Sequence, residues 1–137
     1  MSSPTKKITR TRKGLKLKSG KPKRLIVFSL KDFDINQGQK FEEWETDSIL
    51  SNLLTRLRQI SSYTIEEAIR QQVVKAYDNF PEKSDFYHPK HIPEGVRWGT
   101  ISIKGKERIA GYIVENIFHI VFLDKDHRFW ITEKKHT

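Results

Sequence analysis

Five consecutive residues near the C-terminus, Asp-Lys-Asp-His-Arg at 124–128, follow an apolar run that contains one further histidine, His119. Carboxylate and imidazole ligands in a tight turn suit a divalent cation, which makes Asp124, Asp126 and His127 one candidate metal site. Neighbouring side chains at a strand end point in different directions, however, which disfavours shared coordination. The simpler alternative is that His127 is a turn residue with a local hydrogen bond, and we predict no metal site.

Metal-free RNA cleavage is a second chemistry that these residue types support. Attack of a 2′-hydroxyl on the neighbouring phosphorus needs a base, cations around the phosphorane and an acid for the departing 5′ oxygen. Histidines transfer protons near neutral pH and arginines stabilise phosphate charge. This reaction needs no cofactor, and the predicted catalytic residues are Arg108, His119, His127 and Arg128.

Other catalytic chemistries find less support. The chain has no cysteine, which excludes disulfides, thiolate metal sites and a thiol nucleophile. His88 and His91 form a close pair, but they lack the helical i, i+4 spacing and the further ligands of a zinc motif.

The positive charge is concentrated at the N-terminus. Residues 1–24 contain ten Lys or Arg and no acid, whereas the rest of the chain has 16 basic and 17 acidic residues. We therefore predict a flexible basic tail over 1–24 and one α+β domain over 25–137, with tail lysines such as Lys13, Lys16 and Lys18 binding polyphosphate. The alternative is a leader that only adds solubility. No apolar stretch near 18 residues and no signal-peptide pattern occur, so we predict a cytoplasmic protein without a membrane partner.

The first half of the domain predicts a strand and two helices. Leu25–Leu30 is a short apolar run typical of a buried strand. Apolar residues at helical spacing predict a helix over about 47–61, with Asp47 as its N-cap. Thr64 and Glu67 have capping-box spacing, and the helical period continues to about Phe80, which predicts an antiparallel helical hairpin. The loop over 79–97 contains three prolines, and its length is typical of a functional loop.

From Trp98 the hydrophobic period becomes two. Turns at 104–106, 115–116 and 125–126 divide the segment into a four-stranded antiparallel meander packed on the helices. These turns pair Ile101 with Ile109, Ser102 with Arg108, Tyr112 with His119, Val114 with Ile117, Val121 with Trp130 and Leu123 with Arg128.

Alternate side chains along a strand point to opposite faces of the sheet, so these pairings assign each residue to one of two faces. The apolar face predicted to lie under the helices consists of Ile101, Ile103, Ile109, Ile113, Phe118, Ile120, Phe122, Phe129 and Ile131. The opposite face is amphipathic and consists of Trp98, Thr100, Ser102, Arg108, Ala110, Tyr112, Ile117, His119, Val121, Leu123, Arg128, Trp130 and Thr132. Aromatic and cationic side chains together are suited to stacking bases and holding phosphates. We predict nucleic-acid contacts from Trp98, Tyr112 and Trp130 and from the turn lysines Lys104, Lys106 and Lys125.

A buried second face is an equally good interpretation. The same residue types are enriched at protein interfaces, so the loop over 79–97 or a partner chain could cover this face, with His119 hydrogen-bonded to Tyr112.

The element order and two local stretches resemble the RelE/ParE-like toxin fold. GKERIAGYIVENIFHIVFLD is similar to the paired strands of that family, with an arginine in the first, and DHRFW is similar to its histidine-arginine and aromatic motif near the C-terminus. The resemblance implies that Arg108, His127 and Arg128 lie near the functional face. It departs from the family in the long loop, the basic tail and a strand after the histidine-arginine pair.

This resemblance implies a toxin-like, metal-independent RNA endonuclease that acts on RNA or at the ribosome and has an antitoxin protein as a possible partner. The alternatives are a non-catalytic module that binds nucleic acid or protein, and a metal-dependent nuclease. The sequence does not define an oligomeric state.

Overall fold

A computed structural model describes residues 23–132, and the predicted tail lysines therefore lie outside the described residues. Over this range the chain is an α+β protein with three helices and a five-stranded mixed sheet. The elements in chain order are β1 (Val27–Ser29), α1 (Phe41–Thr46), α2 (Leu50–Ile60), α3 (Ile65–Arg70), β2 (Val74–Ala76), β3 (Arg97–Lys104), β4 (Glu107–Val114) and β5 (Ile117–Asp124). Within residues 23–132, no helix is both long and apolar enough to span a bilayer.

The sheet has the order β1-β5-β4-β3-β2. β1 pairs with β5 in parallel, and the remaining neighbours are antiparallel. The predicted N-terminal strand therefore exists, but it is an edge strand and not a buried one: Ile26 is buried, whereas Val27 is 53% exposed.

The first predicted helix is confirmed as α2, although it begins three residues later than expected. Asp47 is not its N-cap, because the N-cap is Ile49 and Asp47 ends α1, a helix that the sequence pattern did not predict. Between them the chain reverses through Ser48, whose φ of 62° is in the left-handed region, and the Ile49 backbone N–H donates to the Trp44 carbonyl at 2.8 Å.

The second predicted helix begins as expected and ends early. Thr64 Oγ1 accepts from the Glu67 backbone N–H at 3.1 Å, and Glu67 Oε1 accepts from the Thr64 N–H at 2.9 Å, which confirms the capping box. α3 stops at Arg70, because Gln72 takes a left-handed φ of 61° and the Val73 N–H returns to the Ala68 carbonyl at 2.8 Å. The predicted long helical hairpin is therefore wrong, and the chain continues into β2.

Two of the three predicted turns connect the expected strands. Ile101 pairs with Ile109, Ser102 with Arg108, Tyr112 with His119 and Val114 with Ile117, as predicted. The turn residue Glu115 has a φ of 56°, which is typical of a tight two-residue hairpin.

The predicted fourth meander strand does not form. Buried Asp124 accepts hydrogen bonds from the backbone N–H groups of Arg128 and Phe129, each at 2.8 Å, and so turns the chain away from β5. The Asp85 N–H then donates to the Arg128 carbonyl at 3.1 Å, which joins this segment to the long loop. The predicted pairs Leu123–Arg128 and Val121–Trp130 are accordingly wrong.

A bulge changes the face assignment within β5. Ala110 pairs with Phe122 and Gly111 pairs with Ile120, which leaves Val121 as the extra residue. Leu123 consequently joins the helix-side core, and Phe122 joins the opposite layer. Phe129 is also in that opposite layer, contrary to prediction, because its strand is absent.

Two hydrophobic layers thus enclose the sheet. The helix-side layer includes Leu53, Ile60, Ala68, Ile101, Ile109, Ile113, Phe118 and Ile120. The loop-side layer consists of Ile92, Trp98, Ala110, Tyr112, Val121, Phe122 and Phe129, with Phe80, Phe86, Val96 and Trp130 packed against it. The long loop after β2 therefore folds back over the second face of the sheet.

Candidate functional site

The second sheet face is divided into a covered half and an exposed half. The covered half contains Trp98, Tyr112 and His119, which are 1%, 4% and 7% exposed. Phe80, from the loop, stands edge-on to Trp98 with ring centroids 5.0 Å apart. These three residues are therefore buried and do not form an open platform, and the expected cover by the loop is confirmed for Trp98.

A polar group lies at the margin of the covered half. The Tyr112 hydroxyl donates a hydrogen bond to the Asp32 carboxylate, and the Tyr112 ring stacks on His119 with centroids 4.5 Å apart. Burial and the bonded carboxylate raise the pKa of Tyr112 to about 12. Burial, reinforced by the charge of Lys31, lowers the pKa of His119, although Asp32 opposes this shift.

The lowered pKa favours the neutral form of His119, and its contact with Tyr112 is a ring stack where a hydrogen bond was expected. Its Nδ1 is buried without a hydrogen-bond partner. Such a side chain is poorly placed to reach a bound RNA, so the geometry gives His119 a structural position on the sheet.

The exposed half forms what we call the outer strip. Lys75 pairs with Thr100, and Ser102 pairs with Arg108. These side chains are on the same sheet face as buried Ala110, which pairs with Thr100. The Tyr77 hydroxyl lies 3.5 Å from Thr100 Oγ1, and its ring stacks on Trp130 at a centroid distance of 3.9 Å. The outer strip consists of Lys75, Tyr77, Ser102, Arg108, His127 and Trp130, all exposed or half-buried.

The Asp124 turn positions His127 on this strip. Because the Asp124 carboxylate holds two backbone N–H groups of residues 128 and 129, the chain closes tightly and His127 takes a left-handed φ of 61°. Arg108 lies directly across the sheet from Asp124 and donates from its guanidinium to the Gly105 and Glu107 carbonyls at 2.8 and 3.1 Å. These bonds hold the Arg108 guanidinium against the turn between β3 and β4.

His127 has the electrostatics of a general base. Partial burial and the positive charges of Arg108 and Lys75 lower its pKa, and Asp124 opposes the shift. The neutral imidazole is therefore favoured near pH 7, with two cations close enough to influence it.

Three of the other predicted cations, Arg128, Lys125 and Lys106, form ion pairs elsewhere. Arg128 Nε donates to Asp85 Oδ2 at 2.7 Å, and this bond raises the pKa of Arg128 and joins the turn to the long loop. Lys125 pairs with Asp47 at 2.8 Å, and Lys106 lies 3.7 Å from Asp126. Lys104 is exposed at the end of β3.

No metal site is found in the part of the chain that the structure describes. Over residues 23–132, no group of three or more His, Asp or Glu side chains could hold a metal ion. His88 and His91 also have separate contacts: His88 Nδ1 lies 2.9 Å from the Pro89 carbonyl oxygen, and His91 Nε2 lies 2.9 Å from that of Asp32.

Three residues near these groups were not predicted from the sequence. Lys75 and Tyr77 were assigned to a helix, although the adjacent β-branched Val73 and Val74 and the alternation that follows also fit a strand. Asp32 lies in a polar connector, and no sequence pattern indicated its contact with Tyr112, 80 positions away.

Comparisons of the chain with protein-family models, with curated proteins and with solved structures found no match.

Proposed function

We propose that this protein binds RNA on the outer strip and cleaves it without a metal ion, as a toxin-like endonuclease. The proposal is carried by one observation, namely that the Asp124 turn exposes His127 on the outer strip beside two cations, Arg108 and Lys75, whose charges together with partial burial lower its pKa. The resemblance to RelE/ParE-like toxins supports the same activity and adds the ribosome as a place of action and an antitoxin as a protein partner.

In the proposed reaction, neutral His127 removes the proton from a 2′-hydroxyl. The 2′ oxygen forms a bond to phosphorus, and the bond from phosphorus to the 5′ oxygen breaks. Arg108 and Lys75 stabilise the charge on the phosphorane. The departing oxygen takes a proton from the imidazolium or from water, and the products are a 2′,3′-cyclic phosphate and a 5′-hydroxyl end.

A non-catalytic RNA-binding module is the second candidate function. The burial of His119 favours it, because His127 is then the sole histidine of the described outer strip, and a dedicated second proton donor is missing there. The strip would still bind phosphates through Lys75 and Arg108.

The test is incubation of the purified protein with RNA and with translating ribosomes in the presence of a chelator, followed by mapping of new ends. We expect cleavage that His127→Ala reduces about 100-fold or more, in the range typical of removing an acid-base catalyst. Arg108→Ala should reduce it similarly. Arg70→Ala removes an exposed arginine from the end of α3 and serves as the matched control with unchanged activity.

The outcomes separate the candidates. Binding that depends on Arg108 without any new RNA ends supports the module, and activity that the chelator abolishes contradicts the metal-free mechanism. Equal cleavage by folded His127→Ala would exclude His127 as the base.

A further inference from the structure

A cavity of about 690 Å³ adjoins the outer strip. Tyr77 and Trp130 are residues of the outer strip, and they also line this cavity with their stacked rings. Tyr77 lies two residues after Lys75, so the two side chains are on the same side of the chain. The volume is in the usual range for small-molecule sites. Lys75, one of the two cations proposed to hold the scissile phosphate, is therefore next to the cavity along the chain.

The walls of this cavity are aromatic and fixed. Tyr77 and Trp130 are nearly parallel, with an interplanar angle of 8°. Phe80 forms another part of the lining and is held by edge contacts to Trp98 and Phe129 at 5.0 and 5.2 Å. Trp130 is only half-buried, which leaves part of its ring accessible. Rigid aromatic walls suit a flat, unsaturated ring.

The polar lining disfavours phosphate. Two carboxylates, Asp78 and Glu82, line the cavity together with one ammonium group, Lys83. A phosphate would be repelled there, in contrast to the outer strip with Lys75 and Arg108. Of the parts of a nucleotide, the base therefore fits the cavity and the phosphate fits the strip.

The carboxylates also distinguish between bases. An ionised carboxylate is only an acceptor, so it prefers an edge that presents adjacent N–H donors. Guanine offers two such donors on its Watson–Crick edge, from N1 and N2, whereas adenine and cytosine present one amino group beside an acceptor. Exposed Asn79 and Thr132 add hydrogen-bonding groups that can meet the remaining positions.

We propose that this cavity binds an unpaired guanine base of single-stranded RNA, next to the phosphate held by the outer strip. The inference rests on the proposed function, because RNA is the partner assigned to the strip. It adds the substrate class, namely single-stranded RNA with guanine favoured at one position, and it assigns the two carboxylates of the cavity, Asp78 and Glu82, as specificity-determining residues.

The first experiment titrates the full-length protein with guanosine monophosphate, adenosine monophosphate and ribose 5-phosphate and follows the Trp130 indole N–H resonance by NMR. We expect the guanine nucleotide to shift this resonance and to bind about tenfold more tightly than either comparison ligand. The double variant Asp78→Asn, Glu82→Gln should remove the preference for guanine over adenine, whereas Glu66→Gln, an exposed carboxylate change on α3, should not. Equal binding of ribose 5-phosphate, or a Trp130 resonance that does not move, would overturn the proposal.

The second experiment distinguishes this inference from the proposed function. A short single-stranded RNA with one guanine is compared with the same RNA carrying an abasic site, against wild-type protein, Arg108→Ala and Asn79→Ala. Loss of the base should weaken binding about tenfold in wild type and less in Asn79→Ala. If Arg108→Ala weakens binding while the abasic RNA binds as well as the intact one, the strip is correct and the guanine site is wrong. If the base matters and Arg108→Ala binds normally, RNA binding on the strip is wrong and the cavity stands alone.

Discussion

At the scale of single residues, two histidines on one sheet face have opposite environments. His119 is buried and stacks on Tyr112, whereas His127 is exposed in a turn beside Arg108. Burial is the largest cause of the lowered pKa of both imidazoles. Only His127 combines that shift with access to a ligand, and this combination is what the proposed catalysis requires.

The charge of Arg108 gives a testable shift of the His127 pKa. A nearby cation disfavours the imidazolium, so Arg108→Ala should raise the His127 pKa toward the ordinary value of about 6.5. The ring C–H resonance of His127 followed by NMR over pH 4–8 measures this change. Lys104→Ala, which removes an exposed cation from the end of β3, is the matched control and should leave the titration in place.

The same shift predicts the direction of the pH dependence of activity. If neutral His127 is the base, the cleavage rate rises as the pH passes through the His127 pKa. The acidic limb of the pH–rate profile should therefore move to higher pH in Arg108→Ala. A titration that stays unchanged in this variant would show that Arg108 does not influence His127.

At the scale of elements, the bulge between β4 and β5 depends on a glycine. An added Cβ at Gly111 would lie 1.9 Å from the His119 carbonyl oxygen, a backbone atom that has no rotamer through which to yield. We therefore expect Gly111→Ala to lower the free energy of unfolding by about 3 kcal/mol or more, as for severe overpacking. Urea unfolding followed by circular dichroism measures it.

Gly95→Ala provides the comparison for this prediction. Gly95 has a φ of 86° but no atom within 4 Å of an added Cβ, so its replacement should cost only the left-handed backbone strain of about 1–2 kcal/mol. Equal destabilisation of the two variants would show that the close approach at Gly111 is relieved by movement of the sheet.

The sequence allowed some elements to be predicted because their determinants are local. The capping box at Thr64, the hairpin at residues 115–116 and the pairing of Ile101 with Ile109 were all correct. The end of α3 was missed, since Gln72 takes the left-handed position that glycine usually occupies. The fourth strand was wrongly predicted because the spacing of apolar residues carries no information on the hydrogen bonds that Asp124 accepts from the turn.

The candidate site could be predicted only in part for the same reason. Arg108 belongs to the outer strip because of its position in β4, and His127 and Trp130 belong to it because of the turn that follows Asp124. Trp98, Tyr112 and His119 are on the same sheet face as Arg108, but they are buried. Parity assigns a side chain to a face, but a loop of irregular structure determines which half of the face is exposed. Lys75 enters the strip through a short edge strand whose sequence also fits a helix.

At the scale of the whole molecule, the basic charge is divided between neutralised and surplus cations. Lys23 and Arg24, the last two basic residues of the predicted tail, are ion-paired with Glu67 and Glu115 at 3.3 and 3.1 Å. Residues 1–22 contain eight further Lys or Arg and no acid. The surplus positive charge of the chain therefore comes from the segment before Lys23.

This division defines where the predicted tail should be cut. Removal of residues 1–22 keeps both ion pairs and removes the eight surplus cations, and we expect the slope of log affinity for single-stranded RNA against log salt concentration to become shallower. The slope should fall by about 0.7 for each phosphate that the shortened protein no longer neutralises. Filter binding at several salt concentrations measures it, and replacement of the eight Lys and Arg by Gln in the full-length chain controls for the shortened length. An unchanged slope in both variants would show that the segment binds no phosphates and that the outer strip alone accounts for RNA affinity.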